Sequence, residues 1–188
     1  MKFASIDIES TGLNPNHHQI LEFGAVLEDT ENPLPLQELP SFHAYIVHEI
    51  TIGDAYALAM NHKILDRIAK RKDYPDFQFL TPDQLGQAFG SFLQVHLETT
   101  QITVAGKNFG NFDNQFLLNL PKFFNFVQFN HRFIDPGSIW FDPKIDTEKP
   151  PNLDDCLERA SIDKSVEHTA IADALDVIAV IRKKFQYA

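Results

Sequence analysis

An α/β fold is predicted by three features of this chain. Residues 3–9, 19–28 and 42–47 read as three strands before any helical pattern begins. Helical patterns then alternate with short apolar runs at 102–105 and 133–135. The 188 residues, 44% of them hydrophobic, are enough to bury a core, and they are most simply read as one domain spanning 1–188.

Each element follows from local chemistry. Gly12-Leu13-Asn14-Pro15-Asn16 is turn chemistry, so strands 3–9 and 19–28 form a hairpin with a broad loop. Pro33, Pro35 and Pro40 mark an irregular connection, which places strand 42–47 at a sheet edge, where nearby prolines are tolerated. Residues 55–60 and 61–72 read as helical. Thr81-Pro82-Asp83 starts a helix that reaches about residue 97, with Thr at the cap and Pro at the first helical position. Strand 102–105 leads into a helix at 111–120, a strand-to-helix junction of the kind where α/β sites form. Helices at 153–160 and 169–185 close the chain.

The chemistry is concentrated in a few acids. Side chains alternate along a strand, so Asp7 and Glu9 in Asp7-Ile8-Glu9-Ser10-Thr11-Gly12-Leu13 share one face. Asp113 in Asn111-Phe112-Asp113 and Asp173 at the end of His168-Thr169-Ala170-Ile171-Ala172-Asp173 bring two further carboxylates from helices. Any single one of the 26 Asp and Glu residues is more often a cap or a solvated surface group than a ligand. The four together supply the converging oxygen ligands that a pair of divalent ions needs. His168 precedes Asp173 by five residues, and five helical steps rotate a side chain by roughly 140°. The two cannot point the same way within one helix, so His168 belongs on the loop or first turn. A neutral imidazole there suits a general base.

These residues resemble the DEDDh family of 3′-to-5′ exonucleases, the ribonuclease H-like group that includes oligoribonuclease, ribonuclease T and polymerase proofreading subunits. Asp7 through Leu13 is similar to its first motif, Asn111-Phe112-Asp113 with Phe116 and Leu117 to its second, and His168 through Asp173 to its third. Asn152-Leu153-Asp154-Asp155-Cys156-Leu157 looks like the helix before the third motif. The tyrosine subclass places Tyr four positions before the last acid, where this chain has Thr169, which favours the histidine class.

The resemblance implies a mixed, mostly five-stranded sheet flanked by helices. It further implies two Mg²⁺ or Mn²⁺ ions on Asp7, Glu9, Asp113 and Asp173, with His168 as general base. The expected substrate is single-stranded or short nucleic acid, RNA or DNA, cut to nucleoside 5′-monophosphates. Thr11, Gly12 and Leu13 are substrate-binding candidates, Leu13 because the family sets an apolar side chain against the terminal bases, with ordinary turn packing as its alternative. Phe109 is a further candidate as an aromatic face for an unstacked base, with core packing as its alternative among 17 phenylalanines. Arg132-Phe133-Ile134-Asp135 is similar to a stretch of oligoribonuclease, but His131 stands where that enzyme has Tyr. The rival from another class is a non-catalytic ribonuclease H-like binding module.

A formal net charge of −10 argues against a protein that coats duplex nucleic acid, since such binding neutralises many phosphates with Lys and Arg. Lys63, Arg67, Lys70 and Arg71 share one side of their segment, either a track for phosphates or a solvated face. Arg182, Lys183 and Lys184 complement the dipole of the last helix. Phe123, Phe124, Phe126, Phe129 and Phe133 are too dense for one buried helix face and read as core, or as core plus a homodimer surface. A single cysteine, Cys156, permits no intrachain disulfide and suits a reducing compartment. No secretory signal or membrane-spanning run is visible, so the expected location is cytoplasmic, with no membrane partner.

Overall fold

The computed structural model describes residues 1–72, 74–163 and 169–188. In chain order the elements are β1 (Lys2–Ser10), β2 (Ile20–Asp29), β3 (Ser41–Ile46), α1 (Ala55–Met60), α2 (His62–Lys70), β4 (Gln78–Leu80) and α3 (Pro82–Leu97). They continue with β5 (Gln101–Ala105), α4 (Asp113–Leu118), α5 (Phe123–Phe126), β6 (Gln128–Phe129), α6 (Pro136–Ile139), α7 (Leu153–Ala160) and α8 (Ala170–Phe185). The sheet order is β4-β3-β2-β1-β5-β6. β1, β2 and β3 pair antiparallel, whereas β4, β5 and β6 join in parallel.

This mixed sheet flanked by helices has six strands, one more than the resemblance implies, because β4 and β6 are only three and two residues long. Neither is long enough to display an alternating pattern. The strand expected at 133–135 reduces to one parallel bridge between Ala105 and Ile134, and Pro136 follows with no N–H to extend a ladder. The helix expected at 111–120 begins at Asp113, since Phe109 to Phe112 form a turn held by Asn108, whose carbonyl accepts from Asn111 N and Phe112 N at 3.1 Å.

Alternation along β1 sorts its residues between two cores. Ala4, Ile6 and Ile8 join Phe23, Phe42, Phe89 and Phe123 on the face covered by α3, α4 and α5. The opposite face carries Phe3, and then Asp7 and Glu9, toward α8, whose Ala174, Val177, Ile178 and Ile181 complete a second core. Gly86 and Gly90 of α3 let the Phe123–Phe126 turn approach closely, since a Cβ on either would come within 2.6 and 2.7 Å of its backbone. Most of the phenylalanine run is therefore core, with Phe124 and Phe126 partly exposed at its edge.

Helix ends follow the sequence signals. Gln84 Oε1 accepts from Thr81 N at 2.9 Å to close the start of α3, and Asn152 and Asp155 cap α7 reciprocally at 2.8 and 2.9 Å. Arg182 departs from the expected role of a solvated dipole partner. It is buried and donates from Nε and Nη2 to Glu28 Oε2 at 3.0 and 2.7 Å, fastening α8 to β2. Cys156 is buried, and burial pushes its thiol up to about 11, so it stays protonated and unreactive near neutrality. Among the described residues no helix is long and apolar enough to cross a membrane.

Candidate metal centre

Two backbone features bring the acids together. Across β1 and β2, Asp7 lies opposite Gly24 and Glu9 opposite Glu22, before the register shifts between Glu9 and Ser10. Gly24 has no side chain to hold α8 away. A Cβ there would meet the Ala170 carbonyl carbon at 2.5 Å and Ile171 N at 2.6 Å. The first turn of α8 thus rests directly on β2. Thr169 Oγ1 caps that turn by accepting from Ala172 N at 3.2 Å, and Asp173 emerges over the β1 acids.

The result is a set of carboxylate oxygens from Asp7, Glu9 and Asp173 that all lie within 4.8 Å of one another. Asp113 stands beside them rather than within that set. It is buried, and its Oδ1 accepts from Ile8 N at 3.1 Å. His168 lies outside the described residues; the Thr169 cap fixes only where the helix that follows it begins.

Electrostatics makes the cluster costly without cations. Burial raises the Asp7 carboxyl well above its ordinary value, and the charges of Asp113, Asp173, Glu9 and Glu22 raise it further. Burial, with Glu22 and Asp173, pushes Glu9 up to about 7 against the pull of a hydrogen bond from Asn61. Burial also lifts Asp113 to about 7, partly offset by backbone N–H groups, including that of Ile8. An all-carboxylate donor set at this spacing is hard and anionic, which fits Mg²⁺ or Mn²⁺ and not a thiolate- or imidazole-preferring metal.

Beside Glu9 lies a cleft of about 390 Å³, lined by Leu13, Tyr56, Ala57, Met60, Asn61 and Phe112 among others. Leu13 is 79% exposed, so the side chain expected to meet a terminal base does project from the fold. Tyr56 and Met60 are exposed beside it, and α1 buries no residue. A helix with no core face serves the cleft instead.

Two substrate-binding candidates are corrected here. Thr11 is fully buried; its hydroxyl donates to Ile52 O at 2.6 Å and accepts from Gln19 N at 2.9 Å, so it ties loops together and presents nothing to a ligand. Phe109 is 1% exposed, in T-shaped contact with Phe129 and Phe133 at 5.6 and 5.1 Å, so it packs in the core and offers no open face to a base. Gly12 lines the cleft with backbone at φ +156°, and a Cβ there would run into the His18 ring and the Asp54 carboxylate.

Three participants escape a reading of motifs. Asn61 donates to Ser10 O at 3.0 Å and bonds Glu9, holding the end of β1. Glu22 is fully buried, its Oε2 has no hydrogen-bond partner among the described residues, and its Oε1 is 2.5 Å from His43 Nε2. An acid set within the apolar run Ile20, Leu21, Phe23, Gly24, Ala25, Val26 and Leu27 is the sequence signal that marks it.

A mixed sheet flanked by helices, with acids brought in from β1, α4 and α8, matches the ribonuclease H-like fold. The exonuclease family model (RNase_T) matches residues 5–181, and the chain belongs to that family. No curated protein sequence matches significantly. Among solved structures, the nuclease domain of 3′hExo, a DEDDh family member bound to rAMP, is 19% identical. That match covers 98% of this chain and 92% of that one, at a TM-score of 0.67. Cell-death related nuclease 4 (CRN-4) is 15% identical, with 98% and 64% covered and a TM-score of 0.67. E. coli Exonuclease I in complex with a dT13 oligonucleotide is 18% identical, with 97% and 41% covered and a TM-score of 0.63. The chain thus spans less than two thirds of the latter two proteins.

If the cleft seats a terminal base, Leu13→Ala and Tyr56→Ala should each raise KM for a single-stranded oligonucleotide by about tenfold, with a smaller effect on kcat, since neither side chain would touch the reacting phosphate. Steady-state kinetics on each variant checks this. An unchanged KM in both would remove the cleft from substrate binding.

Proposed function

We propose that this chain is a two-metal-ion 3′-to-5′ exonuclease that releases nucleoside 5′-monophosphates from single-stranded or short nucleic acid. The observation that carries this reading is the placement of the Asp7, Glu9 and Asp173 carboxylates beside a cleft sized for one base and walled by exposed Leu13, Tyr56 and Met60. A terminal nucleotide seated there would set its 5′-phosphate over the acids. Two structural neighbours were solved bound to rAMP and to a dT13 oligonucleotide, which supports the ligand class.

In this reading Asp7, Glu9, Asp113 and Asp173 hold two Mg²⁺ or Mn²⁺ ions. Bound there, such ions would activate water and stabilise the leaving oxygen. The chain's own groups do the rest. Asn61 steadies Glu9, the Ile8 N–H aims Asp113, and the Thr169 cap and Gly24 set the height of Asp173. His168 takes the proton from the attacking water. His168→Ala should then cost roughly 10²–10⁴-fold in kcat with little change in metal affinity. Loss of metal binding by calorimetry would make His168 a ligand instead.

The experiment that tests the function uses 5′-labelled single strands ending in a 3′-hydroxyl or a 3′-phosphate. Stepwise shortening of the hydroxyl strand alone is expected. Internal cuts at equal rates in both would identify an endonuclease.

A further inference from the structure

A second cavity, of about 580 Å³, lies between α2, the segment before β4 and the start of α8. Its walls include His43, Arg67, Lys70, Lys72, Tyr74 and Phe77. Of the four basic residues singled out in the sequence, Arg67 and Lys70 are the two that line it. Arg67 is set on an aromatic floor: its guanidinium carbon is 5.8 Å from the ring centres of both Tyr45 and Phe77, and Nη1 donates to the Tyr45 hydroxyl at 2.6 Å. Tyr74 stands exposed at the mouth, its ring centre 5.2 Å from that of Phe77. Asp66 and Asp76 also reach the rim, and Asp66 pairs with Lys70 at 2.6 Å.

Three cations beside a cluster of aromatic rings are distinctive in a chain of net charge −10. A planar ring system joined to a phosphate matches both halves of this surface, and stacking accepts any base. Bonded and paired residues link the cavity wall to the metal centre. His43 in its wall is bonded to Glu22, which lies opposite Glu9, and Thr169 in its wall caps the helix that carries Asp173. Adjacent strands lie about 4.8 Å apart, so His43 on β3 is about 10 Å from the acids of β1.

We propose that this pocket binds a nucleotide further toward the 5′ end than the one adjoining the scissile bond, with its base against Tyr74 and Phe77 and its phosphate against Arg67, Lys70 and Lys72. The strand then runs from the acids past His43 to Tyr74. The proposal rests on the exonuclease reading but adds a subsite that only longer strands reach.

The test compares kcat/KM for 5′-labelled dinucleotide and hexanucleotide in the wild type, Tyr74→Ala, Lys72→Ala and the double variant; both residues are exposed, so the fold should tolerate their loss. Each single variant should lose about tenfold more on the hexanucleotide than on the dinucleotide. Equal losses on both lengths, or none on either, would overturn the subsite. If the wild type cleaves neither, the exonuclease reading has failed, and fluorescence anisotropy of the labelled hexanucleotide with Mg²⁺ decides the pocket alone. Weaker binding by the double variant supports it, and unchanged binding overturns it.

Discussion

Asp7→Asn is expected to lower kcat by at least about 10³-fold while raising the Tm of the metal-free protein. The first effect follows because an amide carries no charge and holds a divalent ion poorly, and the ion's stabilisation of the transition state is worth several kcal/mol. The second follows from the same cluster. Asp7 faces Asp113, Asp173, Glu9 and Glu22, so its negative charge opposes folding whenever no cation is bound. The sign with pH is fixed by the raised pKa values. Glu9 and Asp113 titrate in the folded state at about 7, above their ordinary 4.5 and 3.8. Between those limits the unfolded chain binds fewer protons than the folded one, so stability falls as pH rises through the window. Thermal unfolding in EDTA should show Tm declining from pH 5 to pH 8, a decline that Mg²⁺ reverses by binding the folded form. A Tm independent of both pH and Mg²⁺ would mean that the carboxylates are not held together as described.

Gly24→Val tests what sets the height of the third acid. The new side chain would have to occupy space within 2.5 to 2.7 Å of the backbone of Ala170 and Ile171, and backbone atoms cannot swing aside as a side chain can. The first turn of α8 must lift, carrying Asp173 with it. Since a displacement of about 1 Å at a reacting centre can cost 10²-fold, turnover should fall by at least about that factor. Tm should fall by several degrees, because the α8 core of Val177, Ile178 and Ile181 must part from the sheet. Turnover and melting of Gly24→Val and Gly24→Ala check this, with the smaller side chain giving the smaller loss. Wild-type turnover in the valine variant would show that close contact between α8 and β2 does not position the acid.

Some of this was legible in the sequence for simple reasons. Period-2 alternation puts Asp7 and Glu9 on one face whatever the rest of the chain does, and the Thr81 cap is read locally. Contacts distant in sequence were not. Thr11 sits inside a motif, yet its hydroxyl is consumed by Ile52 and Gln19, and nothing in the local string says which way it faces. Phe109 is one of many phenylalanines, and only the fold shows Phe129 and Phe133 covering it. Arg182 fits a helix-dipole role until Glu28, far away in the chain, is found beside it. Glu22 was readable in principle, as an acid in a buried strand, but its partner His43 comes from a pairing register that the sequence does not print.

The central claim is that the convergent carboxylates hold catalytic metal ions. Calorimetric titration of Mn²⁺ into metal-free protein, with mononucleotide release measured on the same samples, tests it most directly. Two ions per chain, and activity that rises with their occupancy and vanishes in Asp7→Asn, is the expected result. Full activity in excess EDTA would contradict the account.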